Sequence, residues 1–353
     1  MNAKHRAGKI ITIVMMAILF SVFALDIMTV LLCNQYERRY PVTQETFAGY
    51  PAGADRGSAE ASDGQAAGQG NKIHFLNTDN SDCILLESGG RFAMVDSGWG
   101  SNNPRKSARR EGYEQRVIDY LKKVAAGLDG KVTLDFILCT HYHYDHAGGF
   151  SGILRDPDIT VKTCYLRSLQ TTNQHEYEIE SWDIDSIHRE VVAAAEERGF
   201  PIEEHPPAEP FAFGDMTLRF LNLDSYENPK YKGENDNSVL TLITCGGTKA
   251  LLAADASNLH GMESRLAPEI GRVDLLKLCH HGYAMSNSMR LLRALRPKVG
   301  IVTNGLGQIY PNVKWNLTMV SHTSVFSTVK ENGVIATLSP NGGITLTGNL
   351  HER

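Results

Sequence analysis

The sequence has 353 residues, which is enough for one large domain and a tail. Its 35 basic and 40 acidic residues give a formal net charge of −5, so we expect no basic surface and no stable nucleic-acid complex. The six cysteines have no C-x-x-C spacing and mostly lie in apolar runs, which predicts buried thiols rather than a disulfide framework.

An apolar run covers residues 10–33 and follows a basic stub at residues 1–9. The run exceeds the roughly 20 residues that cross a bilayer as a helix, and Asp26 is its only charged residue. Because the basic stub comes first, the positive-inside rule predicts a single-pass signal anchor with a cytoplasmic N-terminus and an extracytoplasmic domain. The alternative is a cleaved signal peptide and a secreted protein.

Residues 34–71 are predicted to be a flexible linker between the membrane and the domain. Within it, residues 51–70 contain eleven alanines or glycines and no large apolar side chain. Nothing there can be buried to offset the entropy lost on ordering the chain.

Short apolar strands alternate with helical stretches from residue 72 onward, which predicts one domain over residues 72–353. The predicted strands cover residues 72–77, 83–87, 91–95, 134–139, 160–166, 216–222, 238–244, 248–254, 273–279 and 298–303. The predicted helices cover residues 112–126, 180–198, 257–267, 288–296 and 318–331. Two β-rich halves, each followed by alternating strands and helices, predict an α/β fold in which two sheets pack face to face with helices outside.

The segment after the predicted strand 134–139 is the most informative part of the chain. It contains His141, His143, Asp145 and His146, a donor set suited to Zn²⁺, Mn²⁺ or iron. Alternate residues of an extended segment point the same way, so His141 and His143 can share one ion. Asp145 and His146 follow the turn and can reach a second ion. The competing interpretation is a polar surface loop with chance histidines.

Two later segments add further donors at predicted strand ends. Asp255 ends an apolar strand, and His280 and His281 end another. Taken alone, Asp255 could be a helix N-cap and the histidines could be structural. Together with the first loop, three strand ends that converge on one edge predict a binuclear metal site, with Asp255 able to bridge the two ions.

The pattern H-x-H-x-D-H-x-G-G at residues 141–149, then Asp255, then His280-His281-Gly282 resembles the metallo-β-lactamase superfamily of hydrolases. It is similar in particular to the hydrolase domain of ComEC/Rec2-type proteins and to related phosphodiesterases. Residues 74–86 and the turn Asp96-Ser97-Gly98 resemble the opening of that family. The resemblance implies a four-layer αββα sandwich and two divalent ions, Zn²⁺ or Mn²⁺. In this chain, the sandwich is expected to follow the one transmembrane helix predicted at residues 10–33.

This chain departs from the family where members with a complete first site have a further histidine. Residues 234–240 contain none, so Asp236 or Asn237 is a candidate metal or substrate contact there. The first ion is therefore expected to bind more weakly than the second. By resemblance, His281 is the metal ligand and His280 the substrate contact, although the sequence alone cannot order this pair.

The mechanism implied by two ions is attack by an activated water, oriented by Asp145, with His280 donating to the developing oxyanion. The expected substrate is a phosphodiester, either nucleic acid or an envelope component. The alternatives are hydrolysis of a thioester, lactone or β-lactam, or a metal-binding scaffold without turnover. Trp99 could shape the mouth of the site or simply pack. The remaining histidines outside these motifs, such as His175 and His260, are assigned core or surface roles.

Overall fold

The N-terminal region carries the predicted membrane anchor. The computed structural model describes residues 12–25, 27–28, 31, 50–52, 70–101, 112–170 and 173–351. Residues 12–25 form helix α1. Within the described ranges, no helix combines the length and the apolar character that crossing a bilayer requires. The ends of the run 10–33, Asp26, the stub 1–9 and most of the linker lie outside the described residues, so the anchor stays a prediction.

Eighteen strands occur in the described part of the chain. They are β1 (Tyr50–Ala52), β2 (Asn71–Phe75), β3 (Cys83–Ser88), β4 (Arg91–Ser97), β5 (Val132–Leu134), β6 (Ile137–Leu138), β7 (Ile159–Val161), β8 (Cys164–Tyr165), β9 (Ile202–Glu203), β10 (Phe211–Phe213), β11 (Met216–Leu221), β12 (Leu240–Cys245), β13 (Thr248–Leu252), β14 (Leu275–Lys277), β15 (Val299–Val302), β16 (Ser324–Ser327), β17 (Val334–Ser339) and β18 (Gly343–Gly348).

The helices that follow α1 are mostly short. They are α2 (Glu114–Ala125), α3 (Tyr144–Ala147), α4 (Phe150–Arg155), α5 (Ile184–Glu197), α6 (Leu223–Glu227), α7 (Met262–Ile270), α8 (Met289–Leu295) and α9 (Pro311–Asn316). Two π-helical turns cover Glu178–Trp182 and Leu317–Ser321.

Two mixed sheets form the centre of the domain. The first has the strand order β1-β18-β17-β2-β3-β4-β6-β8-β9, and the second has the order β10-β11-β12-β13-β14-β15-β16. A core that includes Phe75, Leu138, Leu252 and Ile301 lies between them. Helices α2, α4 and α5 cover the outer face of the first sheet, and α7 and α8 cover that of the second. The predicted sandwich of two sheets with helices outside is confirmed.

The C-terminal region differs from its prediction. The helix predicted at residues 318–331 is wrong, because β16 lies within it and pairs in parallel with β15. Val325 and Phe326 are buried in this strand, and β-branched and aromatic side chains are enriched in strands. The following strands β17 and β18 were not predicted, although β17 pairs directly with β2 in the first sheet.

Parallel pairing brings the future site residues to one edge of each sheet. Strands β4 and β6 are parallel, as are β13, β14 and β15. Their carboxyl ends therefore meet at one edge, and the loops that follow can carry side chains into a common space. Asp96 ends β4 and Asp255 follows β13, in agreement with the predicted convergence of strand ends.

The structure describes two short parts of the predicted linker. Tyr50–Ala52 pairs antiparallel with β18, and Asn71 is the first residue of β2. Asn71 is buried and accepts a hydrogen bond from the Ser88 hydroxyl at 2.5 Å, which ties it to the first sheet.

We expect the fragment of residues 70–353 to be soluble and folded without the N-terminal region, because the core residues that the structure describes in the domain all lie between Ile73 and Leu350. A fragment of residues 48–353 that retains β1 is the matched control. Their melting temperatures should differ by no more than roughly 5 °C, since three edge-strand residues contribute little. Aggregation of the shorter fragment alone would show that β1 is part of the folding unit.

Candidate metal centre

The loop after β6 and the short helix α3 carry four of the predicted ligands into the interior. His141, His143, Asp145 and His146 are each at most 6% exposed. The loop is anchored from the opposite side, since the backbone N–H of Tyr142 donates to the carboxylate of Glu234 at 2.9 Å. It is buried because it lies between the ends of the two sheets.

The structure brings the donors together in two groups that share Asp255. One group contains Asp145, His146, Asp255 and His281, and the other contains His141, His143 and Asp255. Asp255 Oδ1 lies 3.2 Å from His146 Nε2 and 3.3 Å from His281 Nε2. Its Oδ2 faces the other group and lies 3.8 Å from His141 Nε2. One carboxylate therefore faces both groups, each through a different oxygen.

Asp96 determines the tautomers of two imidazoles. A carboxylate can only accept, so His146 Nδ1 donates its proton to Asp96 Oδ2 at 2.7 Å. The Thr140 hydroxyl also donates to Oδ2, at 2.7 Å, so its oxygen is left to accept from His141 Nδ1 at 3.1 Å. Both imidazoles consequently present an Nε2 lone pair to the centre, the usual arrangement when a carboxylate supports a metal-binding histidine.

His281 is oriented in the same way by Asp82. The Thr303 hydroxyl donates to Asp82 Oδ1 at 2.6 Å and accepts from His281 Nδ1 at 2.9 Å. The Nε2 lone pair of His281 is thereby directed to the centre. Asp82 lies just before β3 in the first sheet and Thr303 follows β15 in the second, so both sheets contribute to orienting this one ligand.

Glu178 orients His143 and was not predicted from the sequence. Its Oε1 accepts from His143 Nε2 at 2.8 Å, which leaves Nδ1 of His143 for an ion. Trp182, from the same π-helical turn, lies with its ring 4.9 Å from that imidazole. Trp99 is 7% exposed and stacks on Trp182 at 6.3 Å, which favours a packing role for Trp99. No pattern in the sequence marks Glu178 as a site residue.

The donor groups fit divalent cations. His141 Nε2, Asp145 Oδ1 and Asp255 Oδ1 are buried and lack a hydrogen-bond partner among the described residues. The Nε2 atoms of His146 and His281 lie only 3.2 Å apart, so two neutral imidazoles with these tautomers would turn their lone pairs toward each other. A shared cation would remove that repulsion, and cations in the two groups would satisfy the orphaned atoms of His141 and Asp255. Imidazole and carboxylate donors suit Zn²⁺ or Mn²⁺.

The pKa values of His141 and His281 are shifted in opposite directions. Burial lowers the pKa of His141 well below its ordinary value, and the neighbouring His146 and His143 lower it further. Burial also lowers the pKa of His281, but Asp255 and Asp82 outweigh burial and raise it to about 9. One imidazole is thus kept neutral, while the carboxylates around the other attract a proton or a metal ion.

His280 lies at the open side of the centre. Its side chain is 27% exposed, whereas that of His281 is fully buried, and its Nε2 lies 3.7 Å from Asp255 Oδ2. Both histidines have left-handed backbone conformations, with φ of 48° and 49°. The amide of Asn235 lies 3.2 Å from His280 Nε2, which adds Asn235 to the residues that the sequence did not indicate.

Asp236 and Asn237, the candidate metal or substrate contacts, both make hydrogen bonds within the protein. The Asp236 carboxylate accepts from the Ser257 hydroxyl at 2.6 Å and contacts His260 Nδ1, so both of its oxygens are engaged with the segment after β13. The Asn237 amide is bonded to the backbone of residues 230–233. Neither side chain belongs to the donor groups found among the described residues.

Comparison with known proteins adds sequence relatives. The family model described as "Metallo-beta-lactamase superfamily" matches residues 76–303. ComE operon protein 3 of Bacillus subtilis is 24% identical over 289 residues, which cover 81% of this chain and 33% of that protein. Recombination protein 2 of Haemophilus influenzae is 32% identical over 264 residues, which cover 72% of this chain and 26% of that protein. The chain thus spans a third or less of these relatives.

Solved structures with similar architecture include the metallo-β-lactamase fold protein YhfI from Bacillus subtilis. It has 13% identity and a TM-score of 0.46, with 73% of this chain and 96% of that chain covered. Zn(2+)-bound PqqB from Methylobacterium extorquens has 13% identity and a TM-score of 0.41, with 70% of this chain and 85% of that chain covered.

We expect the two ions to bind unequally, since one group offers four donors and the other three. The purified protein should contain fewer than two metal ions per chain, and added Zn²⁺ should fill the remaining site. Metal analysis by mass spectrometry before and after titration measures this. The Asp236→Asn variant should have the same metal content as the wild type, because Asp236 is engaged elsewhere. Two equally tight ions would contradict the expectation.

We expect Asp96→Asn to weaken metal binding about 10- to 100-fold, because an amide cannot accept all three hydrogen bonds that align His141 and His146. Asparagine tolerates the left-handed backbone at this position, so the fold should persist. Competition with a chromophoric chelator measures the affinity, and Asp215→Asn on the surface is the control. Unchanged affinity would show that Asp96 does not orient these ligands.

Proposed function

We propose that this chain, which belongs to the metallo-β-lactamase superfamily, hydrolyses phosphodiester bonds on the extracytoplasmic side of a membrane. It has the fold of a metal-dependent hydrolase and is related to ComEC/Rec2-type proteins. The substrate is a nucleic acid or a phosphodiester of the cell envelope. The membrane-bound location rests on the apolar run 10–33 and its basic flank, with secretion after cleavage as the alternative.

The observation that carries this proposal is the position of Asp255 between the two donor groups. Its two oxygens face different sets of imidazoles at 3.2 to 3.8 Å, as a bridging ligand requires. Paired ions suit phosphoryl transfer, because they can stabilise both the attacking and the leaving oxygen. The name Recombination protein 2 of one relative also supports a nucleic-acid substrate, as proposed from the sequence.

In this mechanism, one ion would be held by His141, His143 and Asp255, and the other would be held by Asp145, His146, Asp255 and His281. When bound, such ions lower the pKa of a water molecule toward neutrality and offset negative charge on the attacked group. Asp145 keeps Oδ1 without a hydrogen-bond partner among the described residues, so this oxygen can accept a hydrogen bond from the attacking water. His280 lies at the exposed side, where its Nε2 can donate to a substrate oxygen.

Asn235 assists His280 in this proposal. Its Oδ1 is buried without a partner among the described residues, while its Nδ2 lies 3.2 Å from His280 Nε2. Rotation of the amide by half a turn would let Oδ1 accept the Nε2 proton of His280, so Asn235 can hold this imidazole in place until a substrate oxygen takes over that hydrogen bond.

Other hydrolytic activities and a scaffold without turnover are the competing functions. Thioester, lactone and β-lactam hydrolysis use the same ions and water, and they differ in the group that is attacked. A scaffold would not need both an orphaned oxygen on Asp145 and an exposed His280 beside the shared carboxylate. A panel of phosphodiester, thioester, lactone and β-lactam substrates separates these functions.

We expect His141→Ala and Asp255→Ala each to reduce phosphodiester hydrolysis to background, because each removes a donor from the centre. Turnover of bis(p-nitrophenyl) phosphate and of an oligonucleotide by the zinc-loaded protein is the measurement. His205→Ala is the control, since that side chain is 74% exposed and lies outside the donor groups. Wild-type rates in either centre variant would refute the proposed site, and turnover of only another substrate class would refute the phosphodiester assignment.

A further inference from the structure

Five carboxylates surround the imidazoles of the metal centre. Each is at most 6% exposed, and each lies within 3.5 Å of an imidazole of the centre. They are Asp82, Asp96, Asp145, Asp255 and Glu178. Burial of several negative charges is unfavourable unless positive charge compensates them.

Within the described part of the chain, Lys277 is the one lysine or arginine whose side chain contacts any of these carboxylates. It is completely buried at the end of β14, where its ammonium pairs with Asp82 Oδ2 and lies 3.8 Å from Asp255 Oδ1. It also donates to the carbonyl of Ala254 at 2.9 Å. The other buried cation nearby, Arg167, pairs with Glu234 instead.

The charges of the centre can be counted. Five ionised carboxylates carry five negative charges, and two divalent ions would carry four positive ones. The ions alone would leave one negative charge in a buried site. We infer that Lys277 supplies the fifth positive charge, so that the five carboxylates, the two ions and this ammonium sum to zero. A neutral centre accepts an anionic substrate such as a phosphodiester. The identity of that substrate rests on the proposed function.

The hydrogen bonds around the centre agree with this count. The Lys277 ammonium faces two carboxylates and a carbonyl, all of which can only accept. All three hydrogen-bond partners of Asp96 donate to it, as suits an ionised carboxylate. Glu178 likewise accepts from three N–H groups.

A purely structural role for Lys277 would have a different basis. Its bond to the Ala254 carbonyl could hold the backbone that leads into Asp255, regardless of the charge. The two roles predict opposite effects of removing the ammonium. Loss of a structural contact would weaken metal binding, whereas loss of one positive charge would strengthen it, since the remaining negative charge attracts the ions.

The experiment is a metal titration of the purified full-length chain with Zn²⁺ against a chromophoric chelator. The Lys277→Met variant should bind the ions about tenfold or more tightly than the wild type. Asp82→Asn, whose amide oxygen can still accept from Thr303, should bind them more weakly. The double variant removes one charge of each sign and should return close to the wild type. Lys298→Met, at a half-exposed lysine, is the control.

Two results would overturn the charge assignment. One is that Lys277→Met and the double variant both bind Zn²⁺ more weakly than the wild type. That result is expected if Lys277 acts only through its contact with the Ala254 carbonyl. The other is a double variant that binds no more tightly than Asp82→Asn. Circular dichroism of the metal-free proteins checks folding. If Lys277→Met does not fold, the comparison of Asp82→Asn with the double variant still decides the question.

A second measurement tests the consequence for substrate. In Lys277→Met, the KM for anionic bis(p-nitrophenyl) phosphate should rise several-fold, while binding of neutral p-nitrophenyl acetate, measured by KM or by inhibition, should not change. If the ratio between the constants for bis(p-nitrophenyl) phosphate and p-nitrophenyl acetate is the same in Lys277→Met as in the wild type, the substrate part of the inference is overturned. If the wild type hydrolyses no phosphodiester, the proposed function fails, and the Zn²⁺ titration still decides whether Lys277 balances the charge of the centre.

Discussion

The metal centre depends above all on the hydrogen bonds that the Asp96 carboxylate accepts. Its oxygens bind the backbone and the hydroxyl of Thr140, at 2.8 and 2.7 Å, and Nδ1 of His146 at 2.7 Å. These bonds join the end of β4 to the loop after β6, and they fix the tautomers of His141 and His146. Asp96 adopts a left-handed backbone conformation with φ of 57°, which aspartate and asparagine tolerate better than most residues.

Parallel strand pairing makes this interaction possible and repeats it in the second sheet. Because β4 and β6 run in the same direction, Asp96 and His141 emerge at one edge. Because β13, β14 and β15 also run in parallel, Asp255, His281 and Thr303 emerge together at the edge of the second sheet. The shared core between the sheets then holds the two edges against each other. The two donor groups are thus a consequence of how the sandwich packs.

Burial explains why such a centre calls for cations. Carboxylates removed from water are stable only when hydrogen-bond donors, lysine or metal ions neutralise them. Three solutions occur side by side in this protein: Glu178 accepts N–H groups, Asp82 pairs with Lys277, and Asp255 faces imidazoles. The arrangement that binds ions also excludes bulk water, which strengthens the electrostatic interactions within the site.

The sequence by itself determined the sandwich and the donors that motifs mark, because strand periodicity and a histidine-rich loop are local features. His141 to His146 lie in one short segment, and strand ends pointed to Asp255 and to the pair His280-His281, whose order the sequence alone left open. Only the tertiary structure decided that Glu178, 35 residues beyond His143, orients it, and that Asp236 binds Ser257 and His260. It also made residues 324–327 a strand, through pairing with β15. These contacts form between segments that are distant in the sequence, so the local pattern of apolar and polar residues cannot predict them.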